Sequence, residues 1–453
     1  SSTVIRRCAS FSCGSFATTL RAADAIALPP IHSLDQSRPQ DKEVKRTDET
    51  LRTGLSTVHD SFACGAAMKL VHLSTTHRAD DVRVIRKECI SLGKLGHEVT
   101  VILPANEAPE PVAHVNFKLV NRPRSRFMRT TWTAFAVLCK AWRTPADVYH
   151  FHSPDLIPWM FLLLLRGQPI VYDVHEDFRT GINRAIYLPR LMAAVVAFLL
   201  RCLEHVVKHF FIIVIAEKYY VEILGKGIEV LNYPRLTDFP VINDNEVPSY
   251  GAGAEAPTLL YAGGLVRQRG ALFYADLARE MPDITVQTVG IVSRGLVKEM
   301  RERARGAVNL QIEGAGHWIH YEGIMQVYQR KPILGLAIFP DSDHYRRKEL
   351  TKFFEYMAAG IPIVCSDFPV WRALVVGHGV GICVDPEDTP STIAAIRSLM
   401  LDRPRRQAMA NRGRQLVEEK FNWDLEAARL DSIYRGLALR PTGALGGLRR
   451  IFF

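Results

Sequence analysis

This sequence predicts two doubly wound α/β domains facing one another across a cleft, and three observations lead there. The chain has 453 residues, more than one hydrophobic core usually supports. Short apolar runs of strand length alternate with amphipathic stretches of helical period, the rhythm of a parallel sheet covered on both faces. That rhythm stops once, in the Asn-, Pro- and Gly-containing stretch 241–257, and then restarts. Ligands in such sheets bind at the carboxyl ends of the strands, so the cleft between the domains is the expected site.

The elements follow in order. Residues 1–67 are rich in Ser, Thr, Arg and Asp and show little periodicity. Met68 is the first methionine, and the apolar run Lys69-Leu70-Val71-His72-Leu73 follows it as a first strand. Residues 1–67 are therefore expected to be a disordered extension or a mis-assigned start. A transit segment is the alternative, because residues 1–23 carry Arg6, Arg7 and Arg21 and no acid. Asp81 to Leu95 places Ile85, Cys89 and Leu92 at helical spacing, with Gly96 positioned to end the helix. Val99–Leu103, Ala146–His152 and Pro169–His175 read as further strands of a first domain spanning 68–240. After the linker 241–257, Thr258–Ala262, Ile284–Val289, Gly335–Phe339 and Ile363–Cys365 are the strands of a second domain, 258–422. A C-terminal helix, 423–440, and a basic-aromatic tail, 441–453, complete the chain.

The formal net charge is +10, yet no run of five or six like charges occurs. Charge spread in this way does not point to a nucleic-acid partner. None of the eight cysteines forms a C-x-x-C pair, and Cys8 and Cys13 have no His or Cys cluster to complete a zinc set. The cysteines read as small buried hydrophobes in a reducing compartment, which places the chain in the cytoplasm. Trp159–Leu165 and Leu191–Leu200 fall short of the roughly 20 apolar residues of a spanning helix. Phe127–Trp142 and Leu188–Lys208 are amphipathic with basic edges, and Leu448–Phe453 adds a basic-aromatic cluster. Such helices lie in a membrane interface or pack on a sheet, so peripheral contact with the inner membrane face stands as one of two readings.

The most informative segment is Lys352-Phe353-Phe354-Glu355-Tyr356-Met357-Ala358-Ala359-Gly360-Ile361-Pro362, continuing to Ser366-Asp367. It reads as a short helix ended by Gly360, then a buried strand. A carboxylate such as Glu355 accepts hydrogen bonds from two adjacent ribose hydroxyls. The helix start and Lys352 suit phosphate oxygens. The plain alternative is an exposed Glu on an amphipathic helix. Asp341-Ser342-Asp343 has the form of a cation-binding D-x-D but reads as a polar loop.

This segment resembles the signature of the retaining nucleotide-sugar glycosyltransferases of family four, which have the GT-B fold. The resemblance covers most of residues 68–436. His150, His152 and Asp155-Leu156-Ile157-Pro158 resemble the loop after the family's fourth strand. Tyr172-Asp173-Val174-His175-Glu176-Asp177 resembles the loop with the active-site histidine. Val230-Leu231-Asn232-Tyr233-Pro234 resembles the N-x-P end of the first domain. Tyr261 to Gly270 resembles the phosphate loop of the second, and Phe421-Asn422-Trp423 the start of a helix that crosses back.

The resemblance implies transfer of a sugar from a nucleoside diphosphate to an acceptor hydroxyl with retention of configuration, in polysaccharide or glycolipid assembly. It implies no cofactor and no metal, only a nucleotide-sugar donor and a carbohydrate or lipid-linked acceptor. His175 would sit at the reaction centre. Glu355 would hold the ribose, and Arg269, Lys352, Gly263, Gly264 and Arg267 the diphosphate. His77, Asp81, Arg83, His152, Asp177 and Arg347 are candidates for the sugar or acceptor.

Three departures from the family pattern stand out. Arg347 occupies a position where the family often has a Glu. The first loop, Thr75–Asp81, lacks the paired glycines and instead resembles an H-x-x-D-x-R loop through His77, Asp81 and Arg83. Gly264 stands where many relatives have an arginine. A non-catalytic relative and a sugar-nucleotide epimerase remain the alternatives.

Overall fold

A computed structural model describes residues 66–175, 205–240 and 256–438, together with positions 192, 198, 248 and 250. The expectations for residues 1–65, Asp177, most of Leu188–Lys208, most of the linker and the tail lie outside the described residues.

Two parallel sheets organise the chain. The first contains β1 (Lys69–Leu73), β2 (Glu98–Pro104), β3 (Val115–Val120), β4 (Val148–Phe151), β5 (Ile170–Val174), β6 (Ile212–Ile215) and β7 (Ile228–Glu229). Their spatial order is β3-β2-β1-β4-β5-β6-β7. The second contains β8 (Thr258–Ala262), β9 (Thr285–Val292), β10 (Leu310–Ala315), β11 (Leu334–Ala337), β12 (Ile363–Ser366) and β13 (Gly381–Val384). Its order is β10-β9-β8-β11-β12-β13.

In both sheets the chain starts in the middle, winds outward one way and returns to wind the other. The direction reverses between β1 and β4, and again between β8 and β11. A crevice opens at such a reversal, beyond the carboxyl ends of the strands, because the two flanking connections leave on opposite faces. Both halves of the candidate site lie at these two places.

Among the described residues the sequence locates eight of the thirteen strands. It misses β3, β6, β7, β10 and β13. It also carries the strand at 335–339 too far, since β11 closes at Ala337 and Ile338 and Phe339 continue as buried loop.

The expected helix after β1 forms as a π-type segment, Val82–Cys89, running into the α-helix Ile90–Lys94. Asp81 caps it by accepting a hydrogen bond from the Val84 N–H at 2.8 Å. Its apolar side, Val84, Ile85, Cys89 and Leu92, packs on one face of the first sheet. The last helix, Trp423–Ala438, shares that layer through Trp423, Ala427, Leu430 and Tyr434. The C-terminal end of the second half is therefore built into the core of the first. The indole N–H of Trp423 donates to the Lys87 carbonyl at 3.0 Å, and the Trp423 backbone N–H to the Pro234 carbonyl at 2.8 Å. The Glu426 carboxylate accepts from the Leu231 N–H at 2.9 Å.

Loops at the strand ends also meet. Lys218 after β6 donates to Glu349 at 3.0 Å, and Lys348 lies 3.4 Å from Glu217. Arg86 pairs with Glu322. Among the described residues no helix is long and apolar enough to cross a membrane.

Candidate active site

The first half of the site is built from the loops after β1, β4 and β5, which are neighbours in the sheet. Ser74 ends β1 and organises the loop that follows. Its hydroxyl accepts from the Thr76 and His77 backbone N–H groups at 3.1 and 2.9 Å, and it bonds the His77 ring at 2.8 Å. The Ser153 hydroxyl, after β4, lies 3.1 Å from Ser74 Oγ and accepts from the Thr75 N–H. Short hydroxyl side chains here do what paired glycines would do elsewhere: they fold the loop tightly against the sheet.

Three histidines converge on this loop. The His77 and His175 ring centres are 5.2 Å apart, and His152 Nδ1 lies 3.1 Å from His175 Nε2. Asp173, buried in β5, places Oδ2 2.7 Å from His175 Nε2. A carboxylate on one ring nitrogen fixes tautomer and orientation, and leaves Nδ1 of His175 without a partner among the described residues. Burial and the neighbouring His175 and His152 rings depress the His77 pKa to about 2; burial depresses that of His152 to about 4, against the pull of Asp173. Both are neutral near pH 7. Of the His152–Asp173–His175 set, only His175 is partly open to solvent.

The second half lies at the other reversal. After β8 the chain turns through Gly263 and Gly264. Gly263 has φ 127°, a region that a side chain rarely enters, and an added Cβ would lie 3.3 Å from Lys352 Nζ. The Gly264 carbonyl accepts from Tyr261 Oη at 2.9 Å and from Arg269 Nη1 at 3.1 Å. Arg269 also donates from Nε to the Tyr345 hydroxyl at 3.1 Å. Lys352 enters from the helix Thr351–Ala358. Its Nζ is buried, has no hydrogen-bond partner among the described residues, and sits 3.6 Å from the Tyr261 ring centre. Burial and the adjacent Arg269 push its pKa well below the usual lysine value. Glu355, one turn on, accepts from the Tyr328 hydroxyl at 2.8 Å.

A buried lysine and a half-buried arginine, neither paired with a carboxylate, stand beside a glycine turn and form a site that lacks an anion. The ammonium keeps its charge only at a cost unless a negatively charged ligand arrives.

Other sequence-derived candidates are placed elsewhere. Arg267 is exposed and paired with Glu299. Asp81 is occupied as a helix cap. Arg83 is buried, bonded to Asp173 at 3.0 Å and to the Val230 carbonyl at 3.0 Å. Its role is to hold the loop from behind rather than to face a ligand. Arg347 is largely exposed, and its nearest acid is Glu222 at 4.0 Å. Asp341 pairs with Arg346, which occupies the first carboxylate of the D-x-D string.

Sequence reasoning missed Asp173, Ser74, Ser153 and Tyr261. Their signal was strand position: each lies at or near the carboxyl end of a strand, Ser74, Ser153 and Tyr261 at strands flanking a reversal and Asp173 in β5, the next strand along. It also missed His72, His150 and Glu88, which are fully buried behind His152.

Comparison with known proteins agrees with the fold. Residues 82–207 match the family model Glycosyltransferase Family 4, and residues 351–416 match Glycosyl transferases group 1. The chain is 23% identical over 380 residues to the phosphatidyl-myo-inositol mannosyltransferase of Mycolicibacterium smegmatis, covering 77% of this chain and 89% of that protein. Its fold is similar to sucrose-phosphate synthase from Thermosynechococcus elongatus, with a TM-score of 0.61 at 14% identity over 82% of this chain and 99% of that one. It is also similar to HepE of Anabaena in complex with UDP and glucose, with a TM-score of 0.58 at 13% identity over 82% of this chain and 100% of that one.

Proposed function

We infer that this chain, a family-four glycosyltransferase of the GT-B fold, moves a sugar from a nucleoside diphosphate to an acceptor hydroxyl with retention of configuration. The observation that carries this reading is the pair of buried Lys352 and half-buried Arg269, without a carboxylate beside the Gly263-Gly264 turn. A leaving diphosphate supplies the missing negative charge. Its charge grows as the glycosidic bond breaks, so cations fixed in a dry site stabilise the transition state more than the ground state. These side chains, with the backbone of the turn, neutralise the diphosphate without a bound cation. Glu355 holds the ribose hydroxyls, oriented by Tyr328. His175 stands opposite, with Asp173 behind it, where the donor sugar and acceptor hydroxyl meet. His77 and His152, both neutral, shape that end of the site.

The acceptor is lipid-linked on this reading, and the enzyme works from the cytoplasmic face of a membrane. The Mycolicibacterium relative carries a phosphatidyl-myo-inositol acceptor in its name. Phe127, Trp132, Phe135 and Trp142 are exposed along 126–142, and Leu162 and Leu165 beside them. Arg126 and Arg129 lie among these aromatics. Aromatic side chains interleaved with arginine suit a headgroup layer.

The test is a panel of nucleoside diphosphates and their sugars, measured by calorimetry and by slow donor hydrolysis. One diphosphate should bind, and Glu355→Ala and Arg269→Ala should each weaken it. Absence of binding to every member would defeat the reading.

A further inference from the structure

Behind His152 the first sheet buries a second set of groups that the transfer reaction does not use. His72 and His150 are register partners on β1 and β4, so their side chains leave the same face of the sheet. Their ring centres are 4.8 Å apart. His152, two residues beyond His150, points the same way and stacks on both. Glu88 descends onto them from the helical segment Val82–Cys89. None of the four is more than 3% exposed.

The distances are informative. Glu88 Oε2 lies 3.8 Å from His72 Nδ1, 3.8 Å from His150 Nδ1 and 3.8 Å from His152 Nε2. That is too long for a hydrogen bond in all three cases. One ligand atom from each residue can be chosen so that all four lie within 4.8 Å of one another. Four nitrogen and oxygen ligands about 2.0–2.1 Å from a central ion stand about 3.3–3.4 Å apart in a tetrahedral site, so the four side chains would draw in slightly around an ion. Glu88 Oε2 is buried with no hydrogen-bond partner among the described residues; of the nitrogens that face it, His72 Nδ1 and His152 Nε2 lie 2.9 Å apart and share a hydrogen bond that a bound ion would replace.

The charges agree. Asp173 and Glu88 are both buried, and Arg83 reaches both, at 3.0 and 3.1 Å. One guanidinium cannot balance two buried carboxylates. A cation, or a proton, is missing from this pocket.

We propose that His72, His150, His152 and Glu88 bind a divalent transition-metal ion, zinc by preference, as a structural centre behind the reaction site. Three imidazoles and one carboxylate are a zinc-type ligand set, and full burial suits a closed structural site. The Tyr434 hydroxyl now lies 2.5 Å from His150 Nδ1, the nitrogen that faces Glu88, and would have to turn away when an ion takes that nitrogen. The ion would join β1, β4 and the Val82–Cys89 segment.

The test uses the full chain, purified without chelator from zinc-supplemented medium, and reads metal content. Wild type should carry about one equivalent of zinc per chain. His72→Gln and Glu88→Gln should lose it, while His205→Gln, in an exposed histidine pair, should keep it. Chelator-stripped wild type should regain one equivalent from a chromophoric competitor and melt at higher temperature with zinc than without. With cobalt it should show the strong visible bands of a four-coordinate site, a readout that stands even if the variants do not fold. Wild type that neither carries nor takes up zinc overturns the proposal, and so does an equivalent that survives in both Glu88→Gln and His72→Gln. The missing charge is then a proton held between Glu88 and Asp173. Nucleotide binding at Lys352 and Arg269 is read separately, so failure here leaves the transfer function standing.

Discussion

Lys352 holds its Nζ over the face of Tyr261, 3.6 Å from the ring centre, and the ring's hydroxyl is turned away to the Gly264 carbonyl. The aromatic face offers partial compensation to a buried ammonium, but not a counter-charge. A bound diphosphate would provide one. The lysine pKa is depressed in the empty site and would rise when phosphate oxygens arrive. Diphosphate binding should therefore take up protons, and affinity should fall as pH rises above the empty-site pKa. Calorimetry in buffers of different ionisation heat measures the uptake directly. Lys352→Met should abolish it and weaken diphosphate binding by about 10- to 100-fold, the scale of a hydrogen bond to a charged group. Binding of the bare nucleoside should not change. Uptake that persists in Lys352→Met would assign the proton elsewhere.

Glu355 makes the complementary prediction. It touches Tyr328 and no phosphate-side cation. Glu355→Gln should weaken nucleoside and nucleoside diphosphate to a similar degree, by about 10-fold, because one charged acceptor of the ribose hydroxyls is lost. Equal binding of the two proteins to the nucleoside would remove Glu355 from the ribose site.

The seam between the last helix and the first sheet should show in acid. His97 Nε2 lies 2.6 Å from Asp431 Oδ1, and Arg435 donates to the same carboxylate at 2.9 Å. Burial alone would raise the Asp431 pKa, but these two bonds outweigh it and hold the carboxyl below its ordinary value. A folded pKa below the unfolded value, about 3.9, gives stability that is complete above that value. It is lost as pH falls through the folded pKa. Asp431→Asn should cost about 1.5–3 kcal/mol near neutrality, as a hydrogen bond to a charged group does. The melting-temperature gap between wild type and variant should close below about pH 4. A gap constant down to the acid limit would show that the pair contributes packing rather than charge.

How much of this was legible beforehand depends on where a strand lies. β1, β2, β4, β5, β8, β9, β11 and β12 are interior strands, and each carries a short apolar pair or run buried on both faces, such as Leu70-Val71 or Ile363-Val364. β3, β7, β10 and β13 are the four sheet edges. Edge strands need not be apolar on both faces, so Asn116 and Lys118 interrupt β3, and Gln311 and Glu313 interrupt β10. β6 is different: Ile212–Ile215 is apolar, but it follows directly on the amphipathic run Leu188–Lys208, and nothing in the sequence marks the border. The donor half was readable because Lys352 and Glu355 share one helix. The histidine cluster was not, because His72 and His150 become neighbours only through the pairing of β1 with β4. Arg267 and Arg269 are equal in sequence, and only the fold gives one to Glu299 and the other to Gly264.

A core prediction follows from Gly335 in β11. A Cβ added there would come within 2.6 Å of the Tyr356 ring. Tyr356 cannot move aside cheaply, because its hydroxyl donates to carbonyls of Leu260 and Leu336 and accepts from the Ala262 N–H. Gly335→Ala should cost about 1–3 kcal/mol from overpacking. Gly335→Ala combined with Tyr356→Phe should not recover that loss, since the ring stays in place. Denaturant unfolding of the two variants decides it, and recovery in the double variant would show that the hydroxyl network, not the ring, fills the space.

The exposed aromatics supply the last prediction. Phe127 and Trp132 stand on the amphipathic stretch of the first half, with Phe135 packed against Trp159 at a ring separation of 5.5 Å. Phe127 and Trp132 are largely exposed, whereas Ala134, Val137 and Leu138 of the same stretch are buried in the core. Replacing Phe127 and Trp132 together by Ser should therefore leave the melting temperature nearly unchanged, since surface substitutions usually stay within about 0.5 kcal/mol. If these rings enter a headgroup layer, the same double variant should lose flotation with anionic vesicles. Wild-type flotation should weaken in 1 M salt without vanishing, because salt screens the arginines but not the apolar contact. Wild type that stays out of the floating fraction at both low and high salt would remove the membrane from the proposed function and leave a soluble acceptor.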